Sequence, residues 1–341
     1  MNVEDLTPAW LSGVLGRDVG DLAVEQVGTG QIGTCFRLRI GETRSTDTVL
    51  VKLPSADAGA REMMAGAYRA EVRFYQQVAG TVAVRTPACH HAEITDGTGD
   101  FVLVLEDLAP AEQGDQIAGC AAEQARDAVV NLAGLHGPRW CDPTLLDVDT
   151  LSINGPEEIA LLLEMYGPTN ELFLDGLGGL IPTEDAATLR ACVPAIERWL
   201  LARPERFGLV HGDYRLDNLL FPPDGGPDVV AVDWQTLSLA LPARDLAYFL
   251  GTSLSVDDRR AHERDLVTAY HAALTSYGVA GYSLEDCWDD YRFAMIQGPL
   301  VAVFGCAYGT RTERGDRMFA VMVARSCAAI RDLDTLALAA Q

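Results

Sequence analysis

The spacing of apolar residues changes near position 110, and that change limits the folds open to the chain. Before it, short strands, one of them with apolar side chains at every second position, surround a single helix. In "CFRLRI", Phe36, Leu38 and Ile40 share one face while Arg37 and Arg39 take the other, the pattern of a strand with one buried side. "TDTVLVKLP" is a second apolar run, rich in valine and closed by Pro54. "GETRST" at 41–46 is turn-like and makes the two runs antiparallel neighbours. From Ala58 to Val78 the spacing is helical: Ala67, Phe74 and Val78 form one stripe, Met64, Tyr68, Val72 and Tyr75 the adjoining one, and Glu71 lies on this apolar face. "FVLVLEDLAP" at 101–110 reads as a third buried strand that ends in acids, Ala and Pro, a boundary between lobes. Beyond it the texture is helical. "AAEQARDAVVNLAGLHG" at 121–137 is amphipathic and stops at Gly137, and 183–208 forms another helix kinked at Pro194. Long helices start after Ser255, Ser283 and Thr312, the first two serines acting as N-caps. The chain therefore divides into 1–105, a hinge at 106–110, and 111–341.

With 341 residues, 48% hydrophobic and 22% charged, the composition is that of a globular protein large enough for two lobes. The first residues, "MNVEDLTPAW", carry acids where a signal peptide needs positive charge, and no apolar run reaches the roughly 18 residues of a membrane span. The expectation is a cytoplasmic protein without a membrane partner. Eight cysteines without a CxxC pair argue against a zinc site or a disulfide framework. "ACHHAE" at 88–93 groups Cys89, His90 and His91, but no second ligand pair follows at metal spacing, so it reads as a loop or strand end. A formal charge of −23 disfavours nucleic acid, whose phosphates require basic clusters. The excess is uneven: 1–105 hold 9 basic and 13 acidic residues, the remainder 17 and 36. Either a generally acidic surface or cation steering accounts for it.

Against that background one residue is unusual. Lys52 is the only lysine, among 25 arginines. An ammonium is a compact point charge and a guanidinium a wide planar fork, so a position that keeps Lys suits a crowded phosphate site. The densest polar constellation lies elsewhere, in "GLVHGDYRLDNLLFPPDGGPDVVAVDWQ" at 208–235. "GLV" leads into His211, Asp213, Arg215, Asp217 and Asn218. "LLF" and "VVAVDW" are then two strands joined by the turn "PPDGGP". The open end of that hairpin brings Asn218 and Asp233 beside Asp213. Few, hard oxygen ligands of this kind suit Mg²⁺ held jointly with substrate phosphates, and Asp213 is left over as a base.

These residues resemble the kinase-like small-molecule phosphotransferases, the aminoglycoside phosphotransferase and choline kinase group, and within it the ecdysteroid-kinase-like branch. The resemblance covers most of the chain and rests on five matches in order: "GTGQIG" at 28–33, Lys52, Glu71, "HGDYRLDN" and Asp233. It implies an α+β, two-lobed, protein-kinase-like fold, with a small N-lobe of antiparallel sheet and one helix and a larger, mainly helical C-lobe. It implies that Gly28, Gly30 and Gly33 cover the phosphates of ATP or GTP, that Lys52 holds the α- and β-phosphates with Glu71 as its partner, and that Glu106 and Leu108 at the hinge also bind the nucleotide. Asp213 would accept or orient the proton of the attacking hydroxyl, Arg215 would touch the γ-phosphate, and Asn218 and Asp233 would hold Mg²⁺. His211 ties the loop to the backbone, and Asp245 is a buried structural acid behind it.

The chain departs from the protein-kinase pattern. "VDWQ" stands in place of DFG and no APE follows, so a protein substrate under activation-loop control is not expected. No helix follows the glycines as a Rossmann loop requires, and GK[ST] is absent. The expected reaction moves a γ-phosphoryl group to a hydroxyl of a small molecule, in a monomer or homodimer. Residues 138–182, with Glu157, Glu158, Glu164, Tyr166, Glu171, Phe173 and Asp175, would form the acceptor pocket with the late helices. Acids would suit an aminoglycoside or amino alcohol. Trp140, Trp199, Trp288 and Tyr291 would suit a hydrophobic alcohol such as a steroid or macrolide. A nucleotide-binding pseudokinase acting as scaffold or sensor is the alternative.

Overall fold

Strand alternation decides where the first sheet buries its residues. In the computed structural model, which describes residues 1–28, 33–41, 47–95 and 97–340, β1 (Leu22–Val27), β2 (Gly33–Ile40), β3 (Thr48–Pro54), β4 (Cys89–Ile94) and β5 (Phe101–Glu106) form an antiparallel sheet in the order β1-β2-β3-β5-β4. Leu38, Ile40, Val49, Val51, Leu53, Val102 and Val104 join Leu6, Leu11 and Val19 in one core cluster. Leu11 belongs to α1 (Pro8–Leu15), which starts where Thr7 accepts a hydrogen bond from the Trp10 amide. On β3, Lys52 falls on the opposite face from Val51 and Leu53, as a period of two requires.

The helical stretch predicted over Ala58–Val78 is present but interrupted. It forms α2 (Ala58–Met63) and α3 (Ala65–Arg73), then a π-helical turn over Phe74–Val78. Met64, at φ −93° and ψ 2°, separates the two helices. Tyr68, Glu71 and Val72 are the buried face of α3, at the three- and four-residue spacing of a helix side. The expected turn at 41–46 lies, beyond Gly41, outside the described residues.

Two compact units emerge. The first comprises Met1–Thr81, Thr86–Pro110 and Val232–Leu237; the second comprises Val82–Arg85, Ala111–Ala231 and Ser238–Gln341. Trp234 explains why a distant segment joins the first unit. Its ring stacks on Phe74 at 3.7 Å and 9°, and its indole N–H donates to Thr86 Oγ1 at 3.2 Å.

The second unit is mainly helical: α4 (Ala122–His136), α5 (Pro156–Leu177), α6 (Thr183–Cys192), α7 (Ile196–Leu201), α8 (Ala243–Ser253), α9 (Val256–Ser276), α10 (Leu284–Phe293), α11 (Gln297–Tyr308), α12 (Glu313–Asp332) and α13 (Thr335–Ala339). The expected kink falls between α6 and α7, where Val193–Ala195 tightens into a 3-10 turn around Pro194. Ser255, Ser283 and Thr312 accept from the amides of Asp258, Asp286 and Gly315 at 3.1, 3.1 and 3.0 Å, which satisfies otherwise orphaned helix donors. Short strands complete the unit. β6 (Glu112–Gln113) pairs with β8 (Leu219–Phe221), which pairs with β9 (Val230–Ala231), and β7 (Gly208–Val210) pairs with β10 (Ser238–Ala240). The expected hairpin is β8–β9, and the loop 211–218 runs between β7 and β8.

Candidate active site

In the first unit, the sheet and α3 meet at Lys52. Its Nζ lies 2.6 Å from Glu71 Oε2 and 3.3 Å from Asp233 Oδ1. Gln235 Nε2 donates to the same Glu71 oxygen at 3.2 Å. Glu71 is 2% exposed, a burial that a carboxylate tolerates only with partners. Burial alone would lower the Lys52 pKa, but Asp233 and Glu71 outweigh it and hold the ammonium charged. Burial pushes the Glu71 carboxyl up against the pull of Lys52. Asp233 has φ 68°, the left-handed region that Asp enters more readily than most residues, and its side chain stays 38% exposed.

Gly33 stands against this cluster. A Cβ there would sit 2.9 Å from the Leu53 carbonyl oxygen and 3.7 Å from Lys52 Cε, so backbone has taken the space a side chain needs. Gly28 has φ 72°. Gly30 lies outside the described residues. Glu106 closes β5, where its Oε2 accepts from the Ala88 amide at 3.0 Å, and Leu108 follows it half-buried. Between them, Asp107 takes a two-point contact from Arg37, at 2.6 and 3.1 Å.

In the second unit, the loop 211–218 is held from behind. His211 and Gly212 donate their amides to Asp245 at 2.6 and 2.9 Å, and the His211 ring accepts from the Asp213 amide at 3.3 Å. Asp245 and His211 are buried, as the structural roles expected of them require. His136 Nε2 is 3.3 Å from Asp245, and Tyr270 OH is 2.6 Å from His136 Nδ1. Sequence reasoning missed both; His136 faces inward from the last turn of α4.

Asp213, Arg215 and Asn218 come together in front of that support. Asn218 Nδ2 donates to both the Asp213 carbonyl and its Oδ2 at 2.9 Å. Arg215 Nε lies 3.0 Å from each Asp213 carboxylate oxygen. Tyr248 OH donates to Oδ1 at 2.7 Å. Arg215 Nη1 reaches Asp217 Oδ2 at 3.0 Å, and Arg314 binds Asp217 through both its terminal nitrogens. Burial would raise Asp217, but Arg314, the Gln116 amide and Arg215 bring it below the usual carboxylate range. Burial disfavours charge on Arg215 as well, yet Asp213 and Asp217 hold it firmly protonated. Arg215 therefore points its charge at two carboxylates of its own loop. Gln116, Tyr248 and Arg314 are the partners that sequence reading did not find.

Among the described residues, no three His, Cys, Asp or Glu side chains gather as a metal group. The chemistry of Asn218 nevertheless suits a divalent cation. Its amide nitrogen is used by Asp213, which leaves the carboxamide oxygen as a hard ligand. Trp199 and Tyr291, expected to serve a hydrophobic acceptor, are instead buried in the second unit. Trp199 donates to the Phe293 carbonyl at 2.9 Å and Tyr291 to Glu263 at 2.8 Å. Trp288 is 8% exposed under the Arg264 guanidinium. Packing against other helices has spent these rings.

Comparison with known proteins gives these residues a setting. A family model described as the phosphotransferase enzyme family matches residues 24–282. Among solved structures, choline kinase from Cryptosporidium parvum superimposes with a TM-score of 0.63 at 10% identity, covering 93% of this chain and 91% of that one. A candidate aminoglycoside phosphotransferase of Ralstonia eutropha gives 0.58 at 18% identity, over 96% and 98%. Plasmodium vivax ethanolamine kinase gives 0.51 at 11%, over 95% and 84%. These likenesses show the fold, the α+β two-lobed kinase-like one. Among curated proteins, mouse acyl-CoA dehydrogenase family member 10 is 45% identical over 62 residues, which are 16% of this chain and only 6% of that protein's length.

Proposed function

Since the chain belongs to the phosphotransferase enzyme family, we propose that it is a small-molecule kinase that moves the γ-phosphoryl group of ATP or GTP to a hydroxyl of a small alcohol. Lys52, fixed and charged, holds the α- and β-phosphates, with Gly28, Gly30 and Gly33 lying over them and Glu106 and Leu108 at the base. Asp213 orients the acceptor hydroxyl and accepts its proton. Asn218, through its carboxamide oxygen, and Asp233 would hold Mg²⁺. When bound, that ion neutralises charge on the transferred group. Arg215 orients the Asp213 carboxylate through its contacts to both oxygens and would touch the γ-phosphate.

The observation that carries this reading is the 2.6 Å ion pair between the only lysine and a carboxylate that is 2% exposed. A buried pair of charges is costly to keep for stability alone. No helix of the described residues is long and apolar enough to cross a membrane. We place the protein in the cytoplasm, as monomer or homodimer, with nucleotide and alcohol as its partners and without nucleic acid. The acceptor is an aminoglycoside, amino alcohol, macrolide or steroid-like alcohol.

The test is release of ADP and GDP with Mg²⁺ across a panel of these acceptors, beside Asp213→Asn. Release that requires one acceptor and collapses in the variant is expected. Tight nucleotide binding without release on any acceptor would favour a nucleotide-binding scaffold instead.

A further inference from the structure

An ionised carboxylate offers about four acceptor positions, and Asp213 meets three donors. Two of them, Arg215 and Asn218, stand two and five residues away in the same loop. Both belong to the loop that carries the carboxylate they hold. The third, Tyr248, is thirty-five residues away on α8. That helix also holds Asp245, which anchors the loop's backbone. The Tyr248 ring is fully buried in an apolar cluster with Met318 and Met322 of α12, so the phenol oxygen has little freedom. Among these three donors, only Tyr248 itself stands on an element outside the loop and touches the carboxylate directly; Arg215 reaches α12 at one remove, through Nη1 to Met318 Sδ at 3.0 Å.

We propose that Tyr248 is a positioning residue that sets the rotation of the Asp213 carboxylate and leaves one of its acceptor positions open to the incoming hydroxyl; the second half of this statement rests on the phosphotransferase reading. Burial drives the phenol well above its ordinary pKa, which keeps it a proton donor to the carboxylate. Without it, Arg215 and Asn218 still hold the carboxylate to its own loop, but nothing in this set fixes its plane against α8. Small errors of placement at a reacting group cost rate far more than they cost binding.

Tyr248→Phe removes the hydroxyl and keeps the ring. The expected loss is about 10- to 100-fold in kcat, with the KM for nucleotide and acceptor within about twofold and the thermal midpoint close to wild type. 4-Fluorophenylalanine at 248 keeps the bulk without the proton and should show the same loss, which guards against a folding defect in the Phe variant. 4-Aminophenylalanine restores a donor and should recover most of the rate. Crystal structures of wild type and the Phe variant supply a readout that needs no turnover. The Asp213 carboxylate should turn about its Cβ–Cγ bond while its contacts to Arg215 and Asn218 persist. An unturned carboxylate, or a wild-type kcat in both the Phe and fluoro variants, overturns the proposal. A turned carboxylate in a protein inactive on every acceptor would instead sink the phosphotransferase reading and leave the Tyr248 assignment standing.

Discussion

Lys52 and Asp213 are each held by several polar partners, but by different means. Lys52 is one cation between two carboxylates, Glu71 and Asp233, on a buried sheet face. Asp213 is one carboxylate among three donors, with its side chain 24% exposed. The first arrangement fixes a charge, and losing Lys52 strands Glu71, 2% exposed, in a poorly solvated place. The second fixes an orientation, and any one donor can be lost with the rest remaining. One cluster is therefore expected to govern stability and nucleotide binding together, while the other governs rate alone.

Breaking the first cluster should give the largest effect. Lys52→Met leaves Glu71 buried without its cation, and should cost roughly 3–5 kcal/mol of unfolding free energy by urea denaturation. Adding Glu71→Leu should recover most of that loss, and no recovery would show that the pair is not the source. Gly33→Ala comes next: with the Leu53 carbonyl 2.9 Å from the new Cβ, we expect a loss of about 1–3 kcal/mol. A thermal midpoint equal to wild type would mean that the strands shift freely.

A pair away from both clusters provides a control with a pH signature. Burial would raise Asp107, but the Arg37 hydrogen bonds hold it below the ordinary carboxylate value. A depressed folded pKa stabilises above the unfolded value of about 3.9 and is lost as pH falls through the folded one. Asp107→Asn should therefore cost about 1.5–3 kcal/mol at pH 7, and the gap from wild type should narrow progressively as pH falls below roughly 4 through the depressed folded value. A gap that stays constant as the pH is lowered below roughly 4 would contradict the ionic origin. Asp213→Asn should have the smallest effect on stability, under about 2 kcal/mol because an amide still accepts from one side. Its turnover should nonetheless fall by about 10²–10⁴. An unfolded variant would erase the contrast between the two clusters.

Much of the first cluster was legible because local patterns reach it. Alternation put Lys52 opposite Val51 and Leu53, and a carboxylate on an apolar helix stripe called for a cation. The three helix starts at Ser255, Ser283 and Thr312 were equally local. Asp213, Arg215 and Asn218 were legible as a loop, but their supports were not. Tyr248 and Arg314 are brought in by helix packing over separations of 35 and 97 residues, which no periodicity records. α5 escaped notice for a different reason. Leu161, Met165 and Leu172 lie on its exposed side and blur the amphipathic period, while Pro168 sits inside it and reads as a breaker. Only its start was marked, by Pro156 at the first helical position and acids in the first turn. Buried Trp199 and Tyr291 show the converse limit: composition supplies aromatic rings without saying whether a pocket or the core receives them.

The most direct measurement follows the phosphorus atom itself. Phosphorus NMR of the protein with Mg²⁺, ATP or GTP and each candidate alcohol should show the γ-phosphate signal replaced by a phosphate monoester on one class of acceptor, and not in Asp213→Asn. Inorganic phosphate as the sole product with every acceptor, or ester formed at an undiminished rate by the variant, would contradict the account.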